Sequence, residues 1–140
     1  PLVSIITPSF NRATFIEDTI RAVITQTYPH IEYIVIDGAS TDGTVDILES
    51  YAKAGKLHYI SEPDKGMYDA INKGLERCRG DIIGYINTDD LYFPWTAQVV
   101  VDYFNSHPDV EMIFGDSLVS DIVVDLFMKK LVDFKSMFNI

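Results

Sequence analysis

The segment GDIIGYINTDDLYFP, residues 80–94, contains an apolar run that ends abruptly in two adjacent carboxylates, Asp89 and Asp90. The run itself, DIIGYIN (81–87), is short and almost wholly apolar, which is typical of a strand covered on both faces of a parallel sheet. Polar residues that directly follow such a strand lie at the carboxyl edge of the sheet, where open α/β proteins bind their ligands. The segment therefore predicts an α/β fold with a ligand site after residue 87.

Four more apolar runs surround this strand, and helical patterns separate them. The predicted strands are LVSIIT (2–7), IEYIVID (31–37), KLHYISE (56–62) and VEMIFGD (110–116), and the predicted helices begin near residues 14, 44, 67 and 94. Because strands and helices alternate with short connections, the chain is predicted to form a mostly parallel sheet with helices on both faces.

Two local patterns refine the helices. Thr14 is followed three residues later by Glu17, which predicts a capping box at the start of the first helix. Gly66, Ala70 and Gly74 form a stripe of small residues on the third helix, so this helix is expected to pack closely on the sheet.

The composition restricts the class of protein. The 140 residues, 47% of them apolar, suit one globular domain with its own core. A net charge of −10 argues against nucleic acid as a partner, because binding a phosphate backbone requires clustered Lys and Arg. A single cysteine, Cys78, fits a reducing compartment, and the first ten residues resemble a strand rather than a signal peptide. We therefore expect a cytoplasmic location, with the inner face of the membrane as an alternative.

The motifs of several well-known α/β enzymes are absent. The sequence has no G-x-x-x-x-G-K-[ST] motif, no G-x-G-x-x-G after the first strand and no G-x-S-x-G elbow. The histidines at 30, 58 and 107 lack the spacing of metal ligands.

The acidic pair Asp89–Asp90 is what remains. Carboxylate oxygens suit Mg²⁺ or Mn²⁺, which bind through one or two carboxylates and the phosphates of a substrate. Such a cation would allow an acidic protein to bind a diphosphate. From spacing alone, capping of the following turn by these aspartates is an equal alternative.

Four segments resemble glycosyltransferase family 2: TPSFN (7–11), DGASTDGT (37–44), DKGMYDAINKG (64–74) and the acidic pair. The resemblance covers residues 2 to about 116. It implies a Rossmann-like fold of the nucleotide-diphospho-sugar transferase type, with residues 1–116 as the nucleotide-sugar-binding domain. It also implies a metal-dependent enzyme, using Mn²⁺ or Mg²⁺, that transfers a sugar with inversion from a nucleotide-diphosphate donor to a glycan or lipid-linked acceptor.

The resemblance assigns the first two loops to the nucleoside. Thr7, Pro8, Phe10 and Asn11 belong to the loop that contacts base and ribose, with Phe10 stacked on the base. A buried Phe10 beneath the loop is the alternative. Asp37 matches the aspartate that accepts a hydrogen bond from the base, and capping of the turn that follows it is the alternative.

The loop after the third strand carries Asp64, Lys65 and Gly66, which the resemblance also places at the nucleotide. Lys65 would face a phosphate, although a solvated turn lysine is equally expected. The N–H groups of the helix that begins near Gly66 are free donors at the ligand edge.

In the acidic pair, the resemblance makes Asp90 the direct metal ligand and lets Asp89 bind the sugar or ribose and contribute to the metal site. Asn87 stands where the commonest D-x-D motif has its first aspartate, and its carbonyl oxygen is a substitute ligand.

The last residues are less regular. Asp116 ends the fifth predicted strand and is the candidate catalytic residue near the acceptor. Residues 117–140 are expected to be a remnant of the acceptor region or a C-terminal helix of the same domain, with Lys129 and Lys130 available for peripheral membrane contact. The amphipathic pattern of that helix comprises Ile122, Leu126, Lys129, Lys130 and Phe134.

Two other functions stay open at this point. The first is a non-catalytic fragment that binds a nucleotide sugar. The second is a Mg²⁺-dependent phosphoryl-transfer enzyme, which would need a nucleophilic aspartate directly after the first strand, where this chain has Thr7, Ser9 and Asn11.

Overall fold

The computed structural model of the chain describes residues 1–115 and 125–129. Its elements are β1 (Val3–Ser9), α1 (Ile16–Ile24), β2 (Ile31–Asp37), α2 (Thr44–Lys53), β3 (His58–Ser61), α3 (Met67–Leu75), β4 (Ile82–Tyr85), α4 (Thr96–Ser106), β5 (Met112–Gly115) and β6 (Asp125–Lys129).

The strands form one sheet in the order β3-β2-β1-β4-β6-β5. The first four strands are parallel to one another, which confirms the predicted α/β class and the mostly parallel sheet. The chain moves outward from β1 to β2 and β3 on one side, and β4 pairs with β1 on the other. The switch in direction therefore lies between β1 and β4, where a ligand crevice is expected at the carboxyl ends of the strands.

The predicted amphipathic helix in the last residues is wrong for residues 125–129. This segment is β6, which runs antiparallel to both β4 and β5. A short apolar run does not by itself distinguish a strand from a helix, and the unpaired backbone groups of β4 offer the pairing that decides between them. Asp116, Ile122, Lys130 and Phe134 lie outside the described residues, and the division of the chain at residue 116 stays a prediction.

The predicted capping box of α1 is also wrong. The helix begins at Ile16, and no side chain caps its first turn. The chain reverses before the helix, so the N–H of Ile16 donates to the carbonyl of Arg12 at 2.8 Å and needs no contribution from Thr14. The carboxylate of Glu17 instead accepts from the hydroxyl of Tyr51 at 2.8 Å.

Helices cover both faces of the sheet, as predicted. Ile5 and Val35 point toward α1, α2 and α4 in the larger buried cluster, whereas Ile6 and Ile36 point toward α3 in the smaller one. A Cβ atom built on Gly74 would lie 2.6 Å from Cγ2 of Ile6, so the small residue lets α3 approach the sheet closely. Among the described residues, no helix has the length and apolar character needed to cross a bilayer.

Candidate functional site

Three loops at the carboxyl edge of the sheet enclose a cavity of about 410 Å³. These loops follow β1, β3 and β4. Five of the predicted residues line the cavity: Pro8, Phe10, Asp64, Gly66 and Asp89. The loops after the first and fourth strands therefore face one cleft, at the switch point of the sheet.

Phe10 presents its ring to this cleft. It is 60% exposed, so it is not a core residue beneath the loop, and its face is free to stack on a planar ligand. The side chain of Thr7 points away from the cleft. It is fully buried, and its hydroxyl lies 3.0 Å from the hydroxyl of Tyr33. Alternation along β1 explains the difference, since Thr7 shares a face with Ile5.

Asn11 joins the loop after β1 to the loop after β2. Its backbone N–H donates to the hydroxyl oxygen of Ser40 at 2.7 Å, and its side-chain oxygen accepts from the N–H of Thr41 at 2.9 Å. The backbone of Asn11 has a φ of 50°, a left-handed conformation that asparagine tolerates better than most residues. This double link fixes the loop on which Phe10 stands.

Asp37 is fully buried at the end of β2. Its carboxylate accepts from the N–H of Ser40 at 2.8 Å, from the hydroxyl of Ser40 at 2.5 Å and from the hydroxyl of Ser61 at 2.7 Å. Asp37 thus holds the turn after β2 and ties it to β3. Its contact with a base stays a prediction.

The loop after β3 is anchored by ion pairs. Nζ of Lys73 lies 3.0 Å from the Glu62 carboxylate and donates to the carbonyl oxygen of Pro63 at 3.1 Å. The hydrogen bond to Glu62 is the main cause that raises the pKa of Lys73. Asp64 reaches the cleft from this loop, whereas Lys65 is exposed and does not line the cavity.

The two residues of the acidic pair differ in their exposure and in their position relative to the cavity. Asp89 is exposed and lines the cavity, but Asp90 is half-buried and does not, and its carbonyl oxygen accepts from the hydroxyl of Thr19 at 3.0 Å. Burial and the neighbouring charge of Asp89 raise the pKa of Asp90, against a hydrogen bond from Asn87 that lowers it. A divalent cation close to Asp90 would favour its charged form, and carboxylate oxygens are suitable ligands for such an ion.

No group of three or more His, Cys, Asp or Glu residues comes together to hold a metal within the described parts of the chain. The two carboxylates therefore fit Mg²⁺ or Mn²⁺ only if a ligand's phosphates complete the coordination, which is the usual arrangement for Mg²⁺.

Further residues line the cavity that were absent from the predicted site: Ser9, Arg12, Met67, Ala70 and Thr88. Ser9 is 5% exposed, and its hydroxyl is the buried side-chain polar atom that lacks a hydrogen-bond partner in the described part of the chain. The position of Ser9 inside the TPSFN segment could have indicated that it belongs to the site. Arg12 brings a positive charge to the cleft, and its place directly after this segment could have indicated it.

A smaller cavity, of about 250 Å³, lies at the opposite edge of the sheet. It is lined by Glu32 and His58, which stand at the starts of β2 and β3, and by Arg77 and Arg79. Because ligands of open α/β sheets bind at the carboxyl ends of the strands, the cavity beside Phe10 and Asp89 is the functional candidate.

Comparison with known proteins gives a consistent result. Residues 4–123 match the family model for glycosyl transferase family 2. The chain is 46% identical over 94 residues to TuaG of Bacillus subtilis, which is named as a teichuronic acid biosynthesis glycosyltransferase, with 66% of this chain and 37% of the relative covered. It is 32% identical over 115 residues to the chondroitin synthase of Escherichia coli, covering 81% of this chain and 17% of that protein. The chain thus spans well under half the length of these relatives.

Solved structures agree on the fold. The mannosyltransferase PcManGT from Pyrobaculum calidifontis, in complex with GDP-Man and Mn²⁺, superposes with a TM-score of 0.74 at 29% identity, over 80% of this chain and 34% of that chain. TarS of S. aureus (residues 1–349) gives a TM-score of 0.79 at 16% identity, over 100% of this chain and 50% of that chain.

Proposed function

The chain belongs to glycosyl transferase family 2, and we propose that it binds a nucleotide-diphosphate sugar through a divalent cation and takes part in inverting transfer of the sugar to a glycan or lipid-linked acceptor. The observation that carries this proposal is the cavity that brings together Phe10, Asp64 and Asp89. Names among the relatives, teichuronic acid biosynthesis and chondroitin synthesis, support a glycan acceptor.

The nucleoside occupies the side of the cavity next to β1. The exposed ring of Phe10 stacks on the base, and the unpartnered hydroxyl of Ser9 supplies a hydrogen bond to the bound donor. The N–H groups of Met67 and Tyr68, in the first turn of α3, have no partner among the described residues and add positive potential to the same space.

The diphosphate lies toward the acidic pair. Asp89, which lines the cavity, and its neighbour Asp90 are the residues that would hold Mn²⁺ or Mg²⁺, which would supply positive charge to a departing diphosphate. PcManGT, which was solved with GDP-Man and Mn²⁺, supports this choice of ion. Arg12, which also lines the cavity, supplies positive charge near the phosphates, a role in which Lys65 is less well placed.

Inversion requires the acceptor hydroxyl to attack the anomeric carbon from the side opposite the diphosphate. A general base takes the hydroxyl proton, the new C–O bond forms, and the bond to the diphosphate oxygen breaks. Asp116 is our candidate for the base, and it lies outside the described residues. The phosphoryl-transfer alternative is set aside, because the matching family consists of glycosyl transferases.

Thermal denaturation tests the cation bridge. We expect UDP or GDP to raise the melting temperature when Mn²⁺ is present and not when it is replaced by EDTA, because a ligand at 100 times its Kd stabilises the folded state by about 2.7 kcal/mol. Asp90→Asn should abolish the metal-dependent part. Asp46→Asn, at an exposed position on α2, is the matched control.

Two results would contradict the proposal. Equal stabilisation with and without the cation would remove the metal from the binding step. Failure of all nucleoside diphosphates to stabilise the protein with Mn²⁺ would remove nucleotide binding itself.

A further inference from the structure

We infer that an apolar surface, formed by the segment before α4 and the exposed side of α4, docks the protein on the headgroup region of a zwitterionic lipid bilayer. The apolar surface consists of Leu91, Phe93, Trp95, Val99 and Tyr103. The inference goes beyond the proposed function, because it concerns another part of the molecule and does not depend on nucleotide binding.

Helix α4 carries apolar side chains on two sides. One side is buried in the larger core cluster through Ala97, Val100, Val101 and Phe104. Trp95, Val99 and Tyr103 follow one another at intervals of four residues, so they form a row along the helix. Their exposed fractions are 56%, 57% and 43%. The outward side of a surface helix is normally polar, so this row calls for a partner.

The segment before the helix extends the same surface. Leu91 is 62% exposed and Phe93 is 44% exposed, whereas Tyr92 between them is buried. The ring of Phe93 stacks on the ring of Trp95, with centroids 5.3 Å apart and 4° between the planes. This contact joins the segment to the row on α4. A contiguous exposed apolar patch of this kind marks an interaction site.

Hydrogen bonds from α1 and the loop after it hold the segment in place. The side-chain amide of Gln26 donates to the carbonyl oxygen of Phe93 at 2.7 Å and accepts from the N–H of Ala97 at 2.9 Å. The N–H of Thr27 donates to the carbonyl oxygen of Pro94 at 2.8 Å. All three bonds reach backbone atoms of the segment. The aromatic rings are therefore presented to solvent by a fixed backbone, without being needed to hold it.

The charge of this region favours a lipid surface without net charge. None of the five residues of the apolar surface is ionisable at neutral pH, and Asp102 is the one charged residue in the sequence of α4. With a net charge of −10, the chain gains nothing from anionic lipid. Binding then depends on the burial of apolar area, and tryptophan and tyrosine rings are the side chains that lie at the level of lipid headgroups.

Other occupants fit this surface less well. A stable protein interface uses about 20–30 residues from each partner, far more than the five side chains of the apolar surface. A glycan is recognised largely through its hydroxyl groups, but the amides beside the surface are already engaged. Gln26 binds the backbone of the segment, and Gln98 donates to the carboxylate of Asp102 at 2.9 Å.

The apolar surface begins next to the candidate site. Phe93 is three residues from Asp90, so their Cα atoms are at most about 11 Å apart. Docking through this surface holds the cleft close to the headgroups, which is where a lipid-linked acceptor is presented.

Vesicles of phosphatidylcholine test the inference, with Trp95 as the probe because it is the single tryptophan of the chain. We expect the fluorescence of Trp95 to move to shorter wavelengths on addition of vesicles and to become less accessible to acrylamide. We also expect the protein to float with the vesicles in a density gradient. Neither effect should increase when phosphatidylglycerol is added, and neither should fall at high salt.

Two substitutions assign the effect to the surface. Phe93→Ser and Tyr103→Ser should each lower the vesicle partition coefficient about tenfold, the low end of the range for burying a large apolar side chain. Phe114→Ser is the matched control. Phe114 is 63% exposed on β5, and its neighbour Ile113 packs on the cluster that includes α4, so Phe114 lies on the other face of the sheet. The control should bind vesicles as the wild type does.

Several results would overturn the inference. Absence of binding to phosphatidylcholine, or binding by both variants at the wild-type level, would remove the bilayer as the partner. Binding that requires phosphatidylglycerol and disappears at high salt would assign it to charge, as the sequence-based expectation for Lys129 and Lys130 does.

Cover by protein would refute the inference in a different way. If acrylamide fails to quench Trp95 without lipid, another part of the chain covers the surface. If quenching falls as protein concentration rises, and sedimentation shows a dimer, a second copy covers it. Stabilisation by UDP or GDP with Mn²⁺ is measured separately, so failure of membrane docking leaves the proposed function standing.

Discussion

Replacement of Glu32 by glutamine should destabilise the protein without weakening nucleotide binding. Glu32 stands at the start of β2, at the edge of the sheet opposite to the candidate site, and is 8% exposed. Its Oε2 accepts from the Ser4 hydroxyl at 2.5 Å and from the N–H of Arg79 at 2.8 Å. Its Oε1 accepts from Nε of Arg79 at 2.6 Å. One carboxylate thus joins β1, β2 and the segment that leads into β4.

The magnitude follows from these three bonds. Glutamine has the same shape, but one of its terminal atoms is an NH₂ group, which faces a donor in either orientation. The Arg79 side chain is 73% exposed, so its ion pair contributes little. The bonds from the buried Ser4 hydroxyl and from the backbone N–H of Arg79 lose their charge, and each falls from about 1.5–3 kcal/mol for a bond to a charged group to about 0.5–1.5 kcal/mol for a neutral one. We expect a loss of about 2–3 kcal/mol, or roughly 6–12 °C in melting temperature for a chain of this size.

The pH dependence gives an independent check. Burial raises the pKa of Glu32, but the hydrogen bonds from Ser4 and Arg79 together outweigh it, and the pKa lies below its ordinary value of 4.5. An acid whose pKa is lowered by folding stabilises the folded state above its ordinary pKa, and this contribution is lost as the pH falls through the lower value. The difference between wild type and Glu32→Gln should therefore be complete at neutral pH and shrink below pH 4.5.

Urea denaturation at pH 7 and at several values below pH 4.5 measures both effects. Glu49→Gln is the matched control, since its pair with Lys53 is on the surface, and it should change the free energy of unfolding by less than about 0.5 kcal/mol. The Kd for the preferred nucleoside diphosphate should stay within about twofold of wild type. The reasoning is refuted if Glu32→Gln unfolds at the wild-type urea concentration, or if the difference is the same at acidic pH.

Two further substitutions address the cavity and its support. Phe10→Ala should weaken nucleotide binding about tenfold in calorimetry, because base–aromatic stacking contributes about 1–3 kcal/mol. The melting temperature should not change, because the ring is 60% exposed. A lower melting temperature would show that the ring packs on the fold. Gly74→Ala should lower the melting temperature by a few degrees, because the new Cβ meets the fully buried Ile6. Overpacking costs about 1–3 kcal/mol, whereas the gain in helix propensity is about 1 kcal/mol. Wild-type stability would mean that α3 shifts freely.

The strands of the parallel sheet were predictable because each is a short apolar run bounded by turn residues. The structure shortens the third and fourth strands to His58–Ser61 and Ile82–Tyr85 but keeps their order. β6 was not predictable, because its identity depends on pairing with β4, a contact between distant parts of the chain that leaves no local pattern. The false cap at Thr14 has a similar cause, since the backbone carbonyl of Arg12 took the place of the side chain.

The location of the site was predictable for a different reason. Parallel strands place all their carboxyl ends at one edge, so the loops after β1, β3 and β4 had to meet there. The direction of Thr7 follows from alternation along β1, but the hydrogen-bond partners of the loop side chains were not predictable. Thr7 faces the core, Asp37 accepts hydrogen bonds from its own turn, and Asp64 lines the cavity.

The two ends of the cavity differ in how far they are prepared for a ligand. At the end next to β1 and β2, Asn11 and Asp37 form their hydrogen bonds within the loops, so the position of Phe10 is fixed without a ligand. At the other end, Asp89 and Asp90 are adjacent carboxylates, and burial together with the charge of Asp89 raises the pKa of Asp90. Under the proposed function, binding of the nucleoside would need little rearrangement, whereas the acidic end would gain a balancing charge from a divalent ion. The proposed function thereby accounts for an acidic chain that binds a diphosphate: a preformed surface would hold the base and ribose, and the phosphates would arrive together with the cation that neutralises both sides.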